Sequence, residues 1–126
     1  MTPLAVFRKS FRAYVDKDRA AIEAILAEGF HFTSPIDNML DRKTYLDICW
    51  PNSRSIERFD EVFAVEHGDR ACIAYEATVA GGKRFRNCEL ATVRDGKLVS
   101  VEVYFGWGVP HGVPEGTHED RPSDHR

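Results

Sequence analysis

Three side chains in this sequence have the type and the setting for acid–base chemistry: Glu89, Asp37 and Tyr14. Glu89 interrupts a β-prone run, RFRNCELATVR, where a strand would ordinarily carry an apolar residue. A carboxyl drawn into apolar surroundings loses hydration, so its pKa rises and it can donate a hydrogen bond or shuttle a proton. The alternative is an outward position, where Glu89 is solvated or sits in a contact between copies. Asp37 follows Ser34-Pro35 and is read as a loop residue; such aspartates commonly make turns or caps. Turned inward it is the natural general base, because a base must reach the proton it takes. Tyr14 belongs to the apolar face of a helix, so its hydroxyl needs a buried partner or a ligand.

The elements that must position these groups follow from spacing. Thr2-Pro3 starts a helix, with a cap hydroxyl and then proline at the first helical position. Leu4, Phe7, Phe11, Tyr14 and Val15 recur on one face of it. Asp18 caps a second helix carrying Ile22, Ile25 and Leu26, with Gly29 as its stop signal. Phe30 to Ser34 reads as a short strand, the stretch Ile36–Leu40 as a loop, and Asp41 as the cap of a third helix ended by Pro51. Residues 52–55 read as a polar connector. Four strands then follow, Ile56 to Glu66 with a bulge near Asp60-Glu61, Arg70 to Ala80, and the two arms of a hairpin from Lys83 to Trp107. Tight turns at Gly81-Gly82 and Asp95-Gly96 link them, so the meander is expected to be antiparallel. Helices segregated onto such a sheet make an α+β domain, ordered ααβαββββ, over residues 3–107. Glycine, proline and charge dominate residues 108–126, which read as an irregular tail, disordered toward its end.

The hairpin register decides which way Glu89 points. In the second arm Val99, Val101, Val103 and Phe105 share one face, and Ser100, Glu102 and Tyr104 the other. A two-residue Asp95-Gly96 turn sets Glu89 opposite Glu102. A three-residue turn ending in a glycine bulge sets it opposite Val101, on the valine side. The pocket side is the expectation. A two-residue Gly81-Gly82 turn sets Glu76 opposite Asn87, on that same face; the alternative is a solvated or interface glutamate. Phe32, Tyr45, Trp50, Tyr75, Asn87, Val103 and Phe105 are the expected pocket lining, with Trp107 beyond them; aromatic residues at such spacings also serve as plain core.

Composition narrows the function. The 126 residues are 43% hydrophobic and 29% charged, with a net charge of −3 and a pI near 5.9. That balance disfavours nucleic acid and anionic membranes as partners. No apolar stretch is long enough to span a bilayer, no signal peptide is visible, and a cytoplasmic protein is expected. Cys49, Cys72 and Cys88 lack metal or disulfide spacing and read as reduced, buried thiols. His111, His118 and His125 recur every seven residues, but in a segment that cannot fix a tetrahedral site, so no metal and no cofactor are expected.

The order of elements resembles the nuclear-transport-factor-2-like superfamily, and within it the SnoaL-like members. The resemblance rests on the aromatic first helix ending at Tyr14-Val15, on Ser34-Pro35 after the first strand, and on Arg94-Asp95-Gly96-Lys97-Leu98. It implies a curved sheet wrapped against three helices as a cone with a pocket inside, and homodimers formed through the outer sheet face. The superfamily holds ketosteroid isomerase, polyketide cyclases, epoxide hydrolases, dehydratases and non-catalytic members, so fold alone does not name an activity. By resemblance to the isomerase, Tyr14 takes the oxyanion-hole position. Glu89, or Cys88 one residue away, takes the place of its protonated acid. Ser34 stands where the isomerase keeps its base, with Asp37 the nearest substitute. The implied function is a hydrophobic small-molecule pocket, with cofactor-free proton transfer on a carbonyl substrate: Asp37 as base, Tyr14 and neutral Glu89 holding the oxyanion. A binding or dimerisation module without catalysis is the alternative.

Overall fold

The computed structural model describes residues 1–120; the disorder expected toward the chain end, and His125, lie outside them. Three helices and a 3-10 segment accompany a six-stranded sheet. Helix α1 spans Pro3–Asp16, with the Thr2 hydroxyl accepting from the Ala5 amide at 3.1 Å and Lys17 in the left-handed region closing its end. Helix α2, Arg19–Ile25, is capped by Asp18, whose carboxylate accepts from the Ala21 amide at 3.1 Å. Both starts are the expected ones. The end of α2 is not: the helix stops at Ile25, and Gly29 lies inside strand β1, Leu26–Ser34, outside the left-handed region. Burial of Leu26 and its pairing opposite Leu98 outweigh the local glycine signal.

The stretch read as a loop after Pro35 contains a strand. β2, Asp37–Asp41, folds back on β1, with Ser34 opposite Asp37 and Phe32 opposite Leu40. Its Asp and Asn residues are poor strand formers, and pairing at the sheet margin makes it a strand. Asp41 accepts from the Thr44 amide at 2.8 Å and starts α3, Arg42–Ile48. The expected polar connector is part of a 3-10 turn, Trp50–Ser55, that buries Trp50 and Ser53. β3 (Ile56–His67), β4 (Arg70–Val79), β5 (Arg84–Arg94) and β6 (Lys97–Val109) complete the chain. β6 therefore continues two residues past the boundary expected for the tail.

The strand order is β2-β1-β6-β5-β4-β3. All pairs are antiparallel except β1 with β6, which run parallel, Phe32 opposite Val101. The sheet is thus mixed, not purely antiparallel: the meander returns the last strand alongside the first, a neighbour that turn chemistry does not report. Helices α1, α2 and α3 pack over the sheet. Phe7, Ile22, Phe30, Ile73 and Leu98 are among the side chains fully buried between the layers.

Registers settle the faces. Asp95 and Gly96 both have positive φ, 53° and 75°, and Arg94 pairs with Lys97, a two-residue turn. Val93 then pairs with Leu98 but Thr92 with Ser100, so β6 carries one extra residue at Val99. That bulge sets Glu89 opposite Val103, in neither of the two registers expected, yet on the same side as the three-residue turn would. Leu98, not Val99, joins Val101 and Val103 in the core. At the other hairpin Val79 and Lys83 bond across a three-residue loop containing Gly81 and Gly82. Glu76 therefore pairs with Arg86 and faces away from Glu89, while Tyr75 pairs with Asn87 and faces toward it. In β3 slips fall between Ile56 and Arg58 and between Glu61 and Phe63, the second one step beyond the expected bulge.

Candidate functional site

Between the helices and the inner sheet face lies a cavity of about 210 Å³. The inward positions of β4, β5 and β6 give its floor: Tyr75, Asn87, Glu89, Val101 and Val103. Helix α1 supplies Phe7, Phe11 and Tyr14, β1 supplies Phe30 and Phe32, and α3 supplies Tyr45. Ser34, Ile36, Asp37 and Phe105 also line it, Ile36 with 71% of its surface exposed. Nine of the ten candidate site residues thus meet at one cavity. Trp50 does not line it: it is buried behind Tyr14, ring centroids 4.8 Å apart, and serves as backing.

A chain of hydrogen bonds ends on Glu89. The Gly106 amide donates to Asn87 Oδ1 at 3.2 Å, Asn87 Nδ2 donates to Tyr75 Oη at 3.5 Å, and Tyr75 donates to Glu89 Oε2 at 2.5 Å. The amide end fixes Asn87, Asn87 orients the tyrosine, and the tyrosine holds the carboxyl. No buried side-chain oxygen among the described residues lacks both solvent contact and a partner, so Glu89 Oε1, which bonds to no described residue, opens to the cavity. Loss of hydration pushes Glu89 up to about 7, against the pull of the Tyr75 hydroxyl, which favours the charged form. At neutral pH both the carboxyl and the carboxylate form of Glu89 are populated.

The tyrosines around it stay protonated. Burial raises Tyr75, and a charge on Glu89 raises it further. Tyr14 and Tyr45 share a hydrogen bond of 2.6 Å between their hydroxyls. Burial raises both, and the charge of Glu89 also raises each, which places the pair within electrostatic reach of the carboxyl. When Tyr45 donates to Tyr14, the Tyr14 proton is free to point at a bound oxygen.

Asp37 lines the same cavity from the β2 side. It is the first residue of β2, not a loop residue, and its Oδ2 accepts from Ser34 Oγ at 2.7 Å, while Ser34 Oγ accepts from the Ile36 amide at 3.2 Å. Ser34, expected as a substitution at a base position, is thereby a positioning group for Asp37. Cys49 lies nearby; burial, then the charge of Asp37, pushes its thiol up to about 11, which leaves it protonated.

The lining also contains residues that spacing alone did not single out: Phe59, Phe85 and Leu98. Phe11, Phe59 and Tyr75 pack edge to face with centroids 4.8 to 5.1 Å apart. The same three rings border an outer groove between α1 and β3, which carries Arg8, Arg12 and Arg58. The wall separates a carboxylate interior from guanidinium groups outside. The apolar stripe of α1 pointed to Phe11; Phe59 became readable only with the β3 bulge. In the tail, His111 packs on Trp107 and His118 pairs with Asp120, so these two histidines do not converge on one site.

The three-helix, six-strand arrangement is that of nuclear-transport-factor-2-like proteins. The chain belongs to the SnoaL-like domain family, whose model matches residues 7–101. A nuclear-transport-factor-2-like protein of unknown function from Cytophaga hutchinsonii superposes with a TM-score of 0.72 at 20% identity, over 84% of this chain and 91% of that one. A proposed ketosteroid isomerase from Kribbella flavida gives 0.70 at 18% identity, over 98% and 93%. IdmH, a proposed polyketide cyclase from Streptomyces antibioticus, gives 0.69 at 17% identity, over 82% and 91%. At these identities the likeness is one of fold. No curated protein sequence matches this chain.

Proposed function

We propose that this SnoaL-like protein binds a compact, largely apolar small molecule in the cytoplasm and transfers a proton on it without a cofactor. The observation that carries this reading is Glu89, a carboxyl held by Tyr75 inside an apolar cavity with one oxygen open to a ligand. A carbonyl-bearing substrate would lose a proton from the adjacent carbon to Glu89, and the Tyr14 hydroxyl would hold the developing oxyanion. Glu89 replaces Asp37 as the preferred base, because it titrates close to neutrality and Asp37 already accepts from Ser34 near the mouth. Asp37 then acts on the part of the ligand that reaches the mouth. Isomerisation, cyclisation and dehydration all use this step. Carboxyl titration by NMR tests the reading: Glu89 is expected to titrate near 7. A midpoint at the ordinary value of about 4.3 would remove the acid–base pocket.

A second reading, association through the outer sheet face, rests on its own observation. Phe63, Ala74, Cys88 and Tyr104 pair in succession and make an apolar row across β3 to β6. Phe63 is 63% and Tyr104 55% exposed. Such a row on an open sheet face fits a homodimer contact. Sedimentation velocity over a wide concentration range is expected to show a dimer that Phe63→Lys dissociates; a monomer throughout would overturn the reading.

A further inference from the structure

We propose that the ligand of this cavity is a compact organic amine, bound as its ammonium ion among the aromatic rings and the carboxylates of Glu89 and Asp37. The inference rests on the reading of the cavity as a ligand site and names its ligand class.

The lining is one-sided in charge. It holds the two carboxyl groups and ten Phe and Tyr rings, and no Lys, Arg or His among the described residues. The face of an aromatic ring carries the negative lobe of its quadrupole, so a lining this rich in rings can present faces to a cation. An anion entering here meets repulsion from both carboxylates. A neutral molecule gains burial alone. A cation gains burial, ring faces and a counter-charge.

The demand for that counter-charge comes from Glu89. Buried carboxylates in proteins are ordinarily paired with a cation or held by several donors. Glu89 has a single tyrosine hydroxyl. The nearby guanidinium groups belong to the outer groove, on the far side of the wall formed by Phe11, Phe59 and Tyr75. Arg8 is committed there to Glu61 through two contacts of 2.8 and 2.9 Å, and Arg58 to Asp60 at 2.9 Å. None of them supplies the missing partner. A ligand ammonium does, and in doing so it favours the carboxylate form of Glu89.

Volume sets the size. A cavity of about 210 Å³ is somewhat larger than the roughly 150 Å³ that accepts a benzene ring. One six-membered ring with a short arm fits, and a larger substituent would leave through the mouth past Ile36 and Phe105.

Isothermal titration calorimetry with three probes of one shape tests the proposal: benzylammonium, benzyl alcohol and benzoate, at pH 7. Benzylammonium is expected to bind at least about tenfold more tightly than benzyl alcohol, and benzoate most weakly. Repeating the amine titration in buffers of different ionisation enthalpy is expected to show release of about half a proton per ligand, since Glu89 is half protonated near its midpoint of about 7. Glu89→Gln is expected to abolish the proton release and most of the preference for the amine. If benzyl alcohol binds as tightly as the amine and no proton is released, the amine assignment falls and the small-molecule pocket stands. If none of the three binds, both fall. The comparison among probes is made on the unaltered protein, so it does not depend on how well the variant folds.

Discussion

Glu89 and Glu76 lie on neighbouring strands, β5 and β4, a few residues from each other in the ladder, and they have opposite environments. Glu89 points to the inner face, where Tyr75 is its partner and the surroundings are apolar. Glu76 points to the outer face, where Arg86 contacts it at 2.9 Å and Arg84 at 3.9 Å. The side chains are chemically identical. What separates them is parity along a strand, set by one extra residue at Val99 in one hairpin and a three-residue loop in the other. One carboxyl is enclosed beside a tyrosine hydroxyl, and the other is half of a surface ion pair.

The comparison breaks most visibly at Glu89→Gln. The folded protein holds the Glu89 proton up to about pH 7, whereas the unfolded chain releases it near 4.5. A pKa raised on folding means stability that is complete below the unfolded value and is lost as pH climbs through the folded one. The wild type therefore carries no penalty at pH 4, a growing one between about 4.5 and 7, and its full cost above that. One pKa unit is about 1.4 kcal/mol, so the shift bounds the cost at about 3 kcal/mol, less whatever water in the cavity relieves. Gln keeps the shape and accepts the Tyr75 hydrogen bond. Urea unfolding is expected to show the variant more stable than wild type by about 2–3 kcal/mol at pH 8 and equal to it at pH 4. Equal stability at both pH values would place Glu89 in contact with bulk water.

The contrast between these residues also marks where a sequence stops being informative. Caps are local chemistry, and Thr2, Asp18 and Asp41 each accept the amide bond expected of them. The turns at Gly81-Gly82 and Asp95-Gly96 are likewise local, since they need positive φ. The α+β architecture follows from these pieces. The parallel pairing of β1 with β6 does not, because it joins residues some seventy positions apart that share no turn. Bulges are worse: one inserted residue reverses every later side chain, and Val99 is as good a strand residue as its neighbours. Glu89 was readable on its correct side because a slip in the turn and a slip in the bulge have the same parity. For Glu76 the sequence leaves an inner and a solvated position open, and the loop at Gly81-Gly82, one residue longer than a tight turn, selects the solvated one. Asp37 reads as a loop residue and not as part of a strand, since Asp-Asn gives no β signal and only the partner β1 makes β2. Trp50 has the type of a pocket residue, and its place behind Tyr14 depends on the 3-10 turn that follows α3.

The smallest expected effect is at Glu76→Gln, and its smallness is what makes the pair of variants informative. Glu76 has two arginines within 4 Å, and counting contacts would rank it above Glu89, which has one hydrogen bond. Physical chemistry ranks them the other way. The Arg side chains are 45% and 40% exposed, so water screens the attraction, and ordering three long side chains offsets much of what remains. Loss of the charge is expected to change stability by less than about 1 kcal/mol at low salt, with the difference fading above about 0.5 M salt as screening shortens. The direction is a loss, opposite in sign to the gain expected at Glu89 above pH 7. Urea unfolding at two salt concentrations measures it. A loss of 3 kcal/mol or more, insensitive to salt, would mean that the outer face around Glu76 is shielded from solvent, as it would be inside a dimer covering Arg84 and Arg86, and the inner and outer carboxyls would then differ in partner but not in exposure.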